Sequence, residues 1–355
     1  MCCLEYEKNS CKKLQEAETR NYYLKKKEGI IMLDIYELKT MFVNKVRAKI
    51  KDYLPEEYKY ADIVTKECNK LNDSYIGMTV RQKDTACCPL INLDIYFEQF
   101  LCRQKSIEEI MCNIAEVVQH HESILNSKNI LKDYSDYSSV KDKLFIRLSN
   151  EEENRKMLPN IPHNCIEDLI ITYHVLVSVD NEGIGSYTVN NQMLKEFGIE
   201  IEQLHQDALN NSVKLFPIKV EPLIEIIRNK MQEEMKVFGL NEAEIAQMIN
   251  AEFSQEIPAL IVTNKQMMYG AAAIFYPGQM ECIAKLMKGD YFILPSSIHE
   301  TLIMPDNGEY SSSKDLKKMV IEVNSTEVNP SEKLSDEIYH FDAKTKIFKK
   351  IDVRL

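Results

Sequence analysis

The stretch from residue 259 to residue 305 constrains the fold of this chain more than any other part of the sequence. Two apolar runs, at residues 259–263 and 270–276, come before a helical pattern and a third apolar run at residues 291–294. Short apolar runs bounded by Pro, Gly and Asn are typical of strands inside a sheet. We therefore expect a buried sheet near the carboxyl-terminal end of the chain.

A polar segment, Pro295-Ser-Ser-Ile-His-Glu300, interrupts this pattern before apolar character resumes at residues 302–304. Buried polar side chains need hydrogen-bond partners, so the interior of a sheet rarely holds several of them together. Ser296, Ser297, His299 and Glu300 are therefore the first candidates for a functional site. Their spacing corresponds to no common catalytic motif.

The length and composition of the chain favour a globular protein with more than one unit. Its 355 residues are too many for one ordinary hydrophobic core, and 45% hydrophobic with 28% charged residues is typical of a folded protein. It has only 10 glycines, and neither G-x-G-x-x-G nor G-x-x-x-x-G-K-[ST] occurs. We therefore expect neither of the common nucleotide-binding folds, and no cofactor.

The net charge and the cysteines indicate the cellular compartment of the protein and the kind of partner it binds. A formal net charge of -11 opposes direct binding to nucleic acid or to an anionic membrane, because both require a positive surface. No apolar run is long enough to cross a bilayer. The 10 cysteines form no C-x-x-C pair and follow no secretory signal. We expect a cytoplasmic protein with buried, unbridged thiols whose partner is another protein.

Hydrophobic periodicity predicts a mixed α/β, or α+β, protein in which several small sheets pack with amphipathic helices. Helices are predicted to begin at Leu33 and Ser106 and to occupy residues 191–197, 201–210, 222–237, 241–253, 279–288 and 312–323. Besides the runs near the carboxyl-terminal end, strands are predicted at residues 61–69, 75–81, 88–93, 144–148, 169–179 and 187–189, with a final hairpin at residues 338–348.

These elements group into two or three units. We expect an N-terminal α+β unit at residues 32–125, a linker at 126–143, a middle α+β unit with a helical segment at 144–257, and a C-terminal α/β unit at 258–355 packed on the middle one. Residues 1–31 are a polar extension. The Lys25-Lys-Lys-Glu-Gly run before Met32 resembles a translated ribosome-binding site, so either Met32 is the native start or the extension is a genuine short helical arm.

Four segments of the chain resemble domain-of-unknown-function family 5688. They are Asn154-Arg155, the Ile161-Pro-His163 loop with Glu167-Asp-Leu169, Tyr269-Gly-Ala-Ala-Ala-Ile-Phe-Tyr-Pro-Gly278, and Leu294-Pro-Ser-Ser-Ile-His-Glu300. The similarity extends from about Met32 to about Asp342, and the last segment is its most specific part. That family occurs mainly in gut Clostridia and their mobile elements, so the resemblance implies a bacterial cytosolic protein. It carries over no catalytic residue, because the family has none assigned.

A serine hydrolase-like site is one hypothesis for the polar segment. If the segment is extended, Ser297 and His299 share one face, and Asp168 or Glu167 could orient the imidazole as a serine nucleophile requires. However, side chains two residues apart on a strand rarely point at each other, and the chain lacks G-x-S-x-G. The structural alternative is that His299 and the serines hydrogen-bond to backbone at a break in a strand.

Two other site hypotheses use side chains from separate segments. His163, His174, His299 and Glu300 could bind a metal ion if strands bring them together, although the chain has no H-E-x-x-H or comparable spacing. Cys165 beside His163 suggests a thiol nucleophile.

Arg147 and Arg155 precede and follow the acidic run Glu151-Glu-Glu153. We expect both arginines to form ordinary exposed ion pairs with that run.

Two functions therefore remain. The first is a non-enzymatic protein-binding, regulatory or accessory protein, possibly of a mobile element. The second is a hydrolase-like enzyme centred on Ser297, His299 and Glu300, to which His163 contributes. If His163 or Asp168 lies within reach of His299 in an open pocket, the enzyme is favoured. If backbone groups satisfy His299, the binding protein is favoured.

Overall fold

The computed structural model describes residues 22–26, 29–83, 88–127, 136–180, 183–237, 248, 258–295, 297–308 and 312–355. The chain divides into two compact units, Met1–Asp133 and Tyr134–Leu355. Antiparallel sheets and helices build both units, which confirms the predicted α+β class. Most of the predicted extension at residues 1–31 and of the predicted helix at residues 241–253 lies outside the described residues. The finer domain boundaries at residues 125, 143 and 257 stay predictions.

The N-terminal unit begins with a hairpin and an amphipathic helix. Strands β1 (Tyr22–Lys26) and β2 (Gly29–Leu33) pair antiparallel, and helix α1 (Ile35–Lys49) follows. The Asp34 carboxylate accepts from the Glu37 backbone N–H at 2.7 Å, while the Glu37 carboxylate accepts from the Asp34 N–H at 3.3 Å. This reciprocal capping satisfies donors that the first helical turn leaves free, and it explains why the predicted helix starts here.

A three-stranded sheet and two further helices complete the unit. They are β3 (Asp62–Lys70), β4 (Asp73–Arg81), β5 (Ile91–Asn92), α2 (Leu93–Leu101) and α3 (Ile107–Ser127), with strand order β3-β4-β5. The core contains Val46, Met78 and Ile114, each with no exposed surface. The predicted strands at residues 61–69 and 75–81 and the capped helix after Ser106 are confirmed. Of the strand predicted at residues 88–93 only Ile91–Asn92 is present, because Leu93 begins helix α2, which was not predicted. The expectation of buried thiols is wrong for most described cysteines, because only Cys68 is buried, whereas Cys112, Cys165 and Cys282 are exposed.

The first sheet of the second unit is organised around one long strand. It contains β6 (Leu144–Asn150), β7 (His163–Ile166), β8 (Leu169–Asp180) and β9 (Gly183–Thr188), after the short helix α4 (Tyr137–Val140). Strand β6 pairs with one side of β8, and β7 and β9 pair with successive parts of its other side. Helices α5 (Asn191–Phe197) and α6 (Ile201–Leu215) follow, and Leu204 and Ala208 of α6 are buried in the core with Ile146 of β6.

The second sheet has six strands in the order β10-β11-β13-β12-β14-β15, all antiparallel. Its elements are β10 (Ile218–Pro222), α7 (Leu223–Val237), β11 (Leu260–Asn264), α8 (Gln279–Met287), β12 (Tyr291–Leu294), β13 (Thr301–Pro305), α9 (Ser313–Thr326), β14 (Tyr339–Asp342) and β15 (Ile347–Lys350). Buried residues of both sheets, among them Tyr173, Val262, Ile293 and Tyr339, form one continuous core. The predicted buried sheet near the carboxyl-terminal end is therefore present.

One predicted strand is a helix instead. The apolar run at residues 270–276 forms a 3-10 helix, Gly270–Phe275, whose first five residues are all buried. Tyr269 has a left-handed backbone with φ of 54°, which turns the chain away from β11 before the run begins. A fully buried apolar run shows no alternation, so periodicity cannot separate a strand from a short helix.

Four short strands were not predicted. They are β1 and β2, which form a hairpin where a polar extension was expected, β7, which begins at His163 where the interpreted loop ends, and β10, which ends in Pro222 at the edge of its sheet. Among the helices that the structure describes, none is long and apolar enough to span a membrane.

Candidate functional site

The polar segment lies in the connection between β12 and β13. These strands pair directly, with Leu294 opposite Leu302, so the residues between them form a loop at the end of the sheet. Ser297 forms an isolated antiparallel bridge with Lys333. The expectation that Ser297 and His299 share a face of one extended strand is therefore wrong. Ser296 lies outside the described residues.

Backbone and side-chain hydrogen bonds hold this loop from three directions. The Ser297 hydroxyl oxygen accepts from the His299 N–H at 3.2 Å. The Ile298 N–H donates to the Glu332 carbonyl at 2.8 Å, and the Ile298 carbonyl accepts from the Ala271 N–H at 3.2 Å. The Thr263 hydroxyl donates to the His299 carbonyl at 2.8 Å. The polar residues are therefore placed by the fold and do not hang from a free surface turn.

Both ring nitrogens of His299 contact neighbouring groups. Its Nδ1 accepts from the Tyr269 backbone N–H at 3.2 Å, and its Nε2 lies 3.4 Å from Glu332 Oε1. The ring also stacks on that of Tyr269, with centroids 5.6 Å apart. Because the Ser297 hydroxyl bonds to backbone rather than to the imidazole, the two residues do not form a nucleophile–base pair.

Glu300 is half-buried at the end of the same loop. Burial raises the pKa of its carboxyl group, and the nearby His299 opposes this shift only in part. The carboxyl group is therefore closer to its neutral form than an exposed glutamate, because burial penalises the charged state.

The structure does not bring Asp168 to His299. The Asp168 carboxylate accepts hydrogen bonds from the Tyr339 hydroxyl at 2.7 Å and from the Ser335 hydroxyl at 3.3 Å, and Lys350 Nζ lies 3.8 Å away. This network ties the start of β8 to β14 and β15. Asp168 thus stabilises the contact between two sheets and orients no catalytic base.

His163 lies on β7, where its Nδ1 donates to the Ile161 carbonyl at 2.9 Å. It lines a cleft of about 470 Å³ together with Cys165, His205 and the ring of Phe275. The Tyr173 hydroxyl lies 2.9 Å from His205 Nδ1, and burial lowers the pKa of His205. Burial and the nearby Glu151 raise the pKa of the Cys165 thiol, which opposes the predicted thiolate nucleophile. Across the described part of the chain, no three His, Cys, Asp or Glu side chains group as metal ligands.

Arg147, which sequence reasoning assigned to an exposed ion pair, is the most unusual residue of the second unit. Its guanidinium carbon lies 3.5 Å from the centroid of the Tyr269 ring, and Nη2 donates to the Ser186 hydroxyl at 2.6 Å. Its Nε is buried without an acceptor. No described carboxylate pairs with it, whereas Arg155 pairs with Glu152 as predicted. Burial lowers the pKa of Arg147.

A signal for Arg147 was present in the sequence. Strand β6 reads Leu-Phe-Ile-Arg-Leu-Ser, and the residues on both sides of the arginine are fully buried. A charged residue inside such a run rarely occurs without a partner or a function.

His174 is buried on the same face of the sheet as Arg147. Its Nε2 lies 3.0 Å from the Thr172 hydroxyl and its Nδ1 lies 3.4 Å from the Thr188 hydroxyl. Burial first, and the charge of Arg147 second, lower its pKa well below the ordinary value. His174 is therefore a neutral core residue and not a ligand that could be shared with His163 or His299.

The backbone that carries Tyr269 is strained and tightly held. Met267 and Tyr269 both have left-handed backbones, with φ of 55° and 54°. The Asn264 side chain donates to the Met268 carbonyl at 2.8 Å and accepts from the Gln266 N–H at 3.0 Å. Strain of this kind persists only where the surroundings enforce it, and it concentrates at functional sites.

The residue after Tyr269 is a glycine, Gly270, and no larger residue fits at that position. A Cβ atom there would lie 2.2 Å from Thr263 Oγ1 and 2.6 Å from both the Asn264 nitrogen and the His299 carbonyl oxygen. The close approach of these three segments holds the Tyr269 ring against Arg147 and His299.

Comparison with known proteins confirms the resemblance seen in the sequence. Residues 39–343 match the Family of unknown function (DUF5688). The chain belongs to this family. The match includes the His299 loop, Arg147, and Asp168 with its partners Ser335 and Tyr339, whereas Lys350 lies beyond the matched residues. No curated protein and no solved structure matches the chain.

Proposed function

We propose that this protein is a non-enzymatic, cytoplasmic protein-binding protein, and that its partner adds a β-strand to the open edge of β8. The carrying observation is that Leu176–Asp180 of β8 extends beyond β6 while Val177 and Val179 stay exposed. The family relationship and the pattern of unbridged cysteines are consistent with a bacterial cytosolic protein.

The hydrogen bonds of the catalytic candidates support a role without catalysis. Ser297 and His299 each bond to backbone groups, and Asp168 bonds to Tyr339 and Ser335. A serine hydrolase needs the three side chains to bond to one another. Since each of them is engaged separately, we do not extend the proposal to hydrolysis.

The open edge follows from the register of the sheet. Strand β6 pairs with β8 from Asn150 opposite Leu169 to Leu144 opposite Val175, and it goes no further. Beyond that point β8 pairs with β9 on its other side, with a bulge between Leu176 and Ser178. In the described part of the chain, Leu176–Asp180 therefore has no strand neighbour on the β6 side. Val177 and Val179 are 54% and 52% exposed there.

The two outer strands of the six-stranded sheet carry residues that discourage pairing. The outer strand β10 contains Lys219 and ends in Pro222, and the outer strand β15 ends in Lys349-Lys350. Lysine and proline are the usual protection of a free strand edge. The sequence of β8 after Val175 is Leu-Val-Ser-Val-Asp and contains neither. Unlike β10 and β15, this edge has no lysine or proline to oppose another strand, although the bulge at Val177 interrupts its regular pairing.

The chemistry of the edge defines the partner. A strand that joins β8 would supply backbone hydrogen bonds and apolar side chains at alternate positions against Val177 and Val179. The formal net charge of -11 favours a partner whose strand is flanked by basic residues. We therefore propose an extended segment of a basic protein as the occupant.

The test uses a matched pair of edge variants of the full chain. The double variant Val177→Lys/Val179→Lys should weaken binding of the purified partner at least about tenfold, because lysines block strand addition. The control Ile347→Lys changes an equally exposed residue, 56% exposed, on the β15 edge and should leave affinity unchanged. The partner is first identified by affinity purification from the native host, and its affinity for the three chains is then measured by calorimetry.

Hydrogen exchange gives the second measurement. Partner binding should slow the exchange of backbone amides within Leu176–Asp180 more than elsewhere, as expected for new strand pairing. Equal affinity of the partner for both edge variants, or protection confined to other segments, would show that this edge is not the binding surface.

A further inference from the structure

Arg147 is a partly buried cation for which the described residues supply no carboxylate partner. Its Nη2 donates to the Ser186 hydroxyl, its Nε is buried without an acceptor, and no described carboxylate pairs with the guanidinium. A guanidinium has five N–H donors in a planar fork, which suits two parallel bonds to one carboxylate. Removing such a charge from water is costly unless it is paired. The fold therefore maintains a donor array for which the described residues supply only part of the acceptors.

Aromatic rings hold the guanidinium in place from its faces. The Tyr269 ring lies 3.5 Å from the guanidinium carbon, and the Phe145 ring lies 5.4 Å from it. Such contacts offset part of the desolvation of the cation. Tyr269 is also a hydrogen-bond partner of the guanidinium, so a ligand has the N–H groups that neither Tyr269 nor Ser186 uses.

The neighbours of Arg147 are fixed before any ligand arrives. Tyr269 is held by its strained backbone, by the close approach at Gly270 and by its hydrogen bond to His299. Ser186 lies on β9, which pairs with β8 residue by residue. Because its oxygen accepts from Arg147, its own O–H is oriented away from the guanidinium and can donate to a ligand. A site that is ordered in advance binds at a lower entropic cost.

We propose that Arg147 binds the carboxylate group of a ligand, with Ser186 donating a further hydrogen bond. A singly charged carboxylate fits better than a phosphate for two reasons. The planar fork matches two carboxylate oxygens. Glu332 also lies 3.4 Å from the His299 ring that stacks on Tyr269, so a second negative charge on the ligand would be repelled.

The carboxylate can come from a small free acid or from the carboxyl terminus of a peptide. Ser186 of this site pairs with Leu176 at the start of the β8 edge, but the proposal depends on the Arg147 guanidinium and not on pairing of a new strand. The proposal can therefore fail or succeed independently of strand addition, because it is tested on the isolated chain without any protein partner.

The test measures the Arg147 Nε–H signal in nitrogen–proton spectra of the full chain during titration with three compounds. Acetate represents a free acid, N-acetylglycine represents a peptide carboxyl terminus, and inorganic phosphate at matched ionic strength represents a dianion. We expect a saturable shift of this signal with acetate or N-acetylglycine in the millimolar range and none with phosphate. A response to N-acetylglycine but not to acetate would identify a peptide terminus as the source of the carboxylate.

Three variants separate recognition from structure. Arg147→Lys keeps the charge but loses the planar fork, and its affinity for the responding carboxylate should fall at least about tenfold. Arg147→Met should lose the increase in melting temperature that this carboxylate gives to the native chain. The exposed Arg155→Met should keep it. The proposal is overturned if no carboxylate shifts the Arg147 signal, if phosphate alone shifts it, or if Arg147→Met responds like the native chain.

Discussion

His174 should make the stability of this protein depend on pH in a way that can be calculated from its surroundings. The imidazole is buried between the hydroxyl groups of Thr172 and Thr188, on the same sheet face as Arg147. Burial, followed by the charge of Arg147, lowers its pKa in the folded state well below 6.5. The unfolded chain exposes the same imidazole to water, where it has its ordinary pKa.

The direction of this pH dependence follows from whether the folded or the unfolded chain binds the proton. Below the unfolded-state pKa of 6.5, the unfolded chain takes up a proton that the folded chain refuses, so the free energy of unfolding falls as the pH falls. At about pH 5.5, one unit below that pKa, the loss is RT ln(1 + 10), or about 1.4 kcal/mol. The loss continues at the same slope until the pH reaches the folded-state pKa. Above neutral pH the contribution is constant.

Urea unfolding of three chains at about pH 7.5 and about pH 5.5 tests this calculation. In His174→Gln an amide that cannot titrate faces the two threonines, so the stability difference between variant and native chain should change by about 1.4 kcal/mol between the two pH values. Thr172→Val removes one hydroxyl but keeps the buried imidazole, and its stability difference should be the same at both. The reasoning is refuted if His174→Gln shows the same pH dependence as the native chain.

Three further changes test the packing around the loop and the sheets. Gly270→Ala should cost at least about 2 kcal/mol of stability in thermal unfolding, whereas Gly289→Ala, which has open space around it, should be nearly neutral. Glu300→Gln should raise the melting temperature at neutral pH and lose this advantage below pH 4.5, because burial raises the pKa of the native carboxyl group. Tyr339→Phe should cost about 1–2 kcal/mol in urea unfolding, since it removes the hydroxyl that donates to Asp168; an unchanged midpoint would contradict that role.

Local elements of the fold could be predicted where the residues that stabilise an element lie within the same short stretch of sequence. The helix after Ser106 is an example, because Ser106 and Glu109 cap its first turn through bonds of 2.7 and 3.2 Å between residues three apart. The final hairpin is another, because Asp342 accepts from the backbone of Lys344 and Thr345 in the turn. In both cases the decisive contacts lie within a few residues, so no tertiary information is needed.

The failures occurred where tertiary contacts decide the conformation. The run after Tyr269 is apolar throughout, and it becomes a 3-10 helix because three distant segments meet at Gly270. Strand β7 exists because β8 pairs with it, although the residues His163–Ile166 have little strand character of their own. Contacts of this kind cannot be inferred from one sequence.

The same limit explains why the candidate site was found in part. The polar loop could be located because polar residues in an apolar run are visible in the sequence. The partners of His299 come from Tyr269 and Glu332, 30 and 33 residues away in the chain, and the partner of Asp168 is Tyr339. His299 and Asp168 were therefore assigned to one candidate site, although the fold places them in two separate hydrogen-bond networks.

The His299 loop and Arg147 are connected through Tyr269, and this connection gives the polar segment a physical role. Tyr269 adopts a left-handed backbone that a residue with a side chain avoids, and the imidazole of His299 accepts its N–H in that conformation. The same conformation holds the phenol ring against the Arg147 guanidinium. The His299 imidazole therefore stabilises the strained backbone of Tyr269. Because the backbone is held in this conformation, the Tyr269 ring stays over the Arg147 guanidinium. This role uses the His299 ring as an acceptor for a backbone N–H and requires no hydrogen bond between the imidazole and Ser297, whose hydroxyl oxygen accepts from the His299 backbone instead.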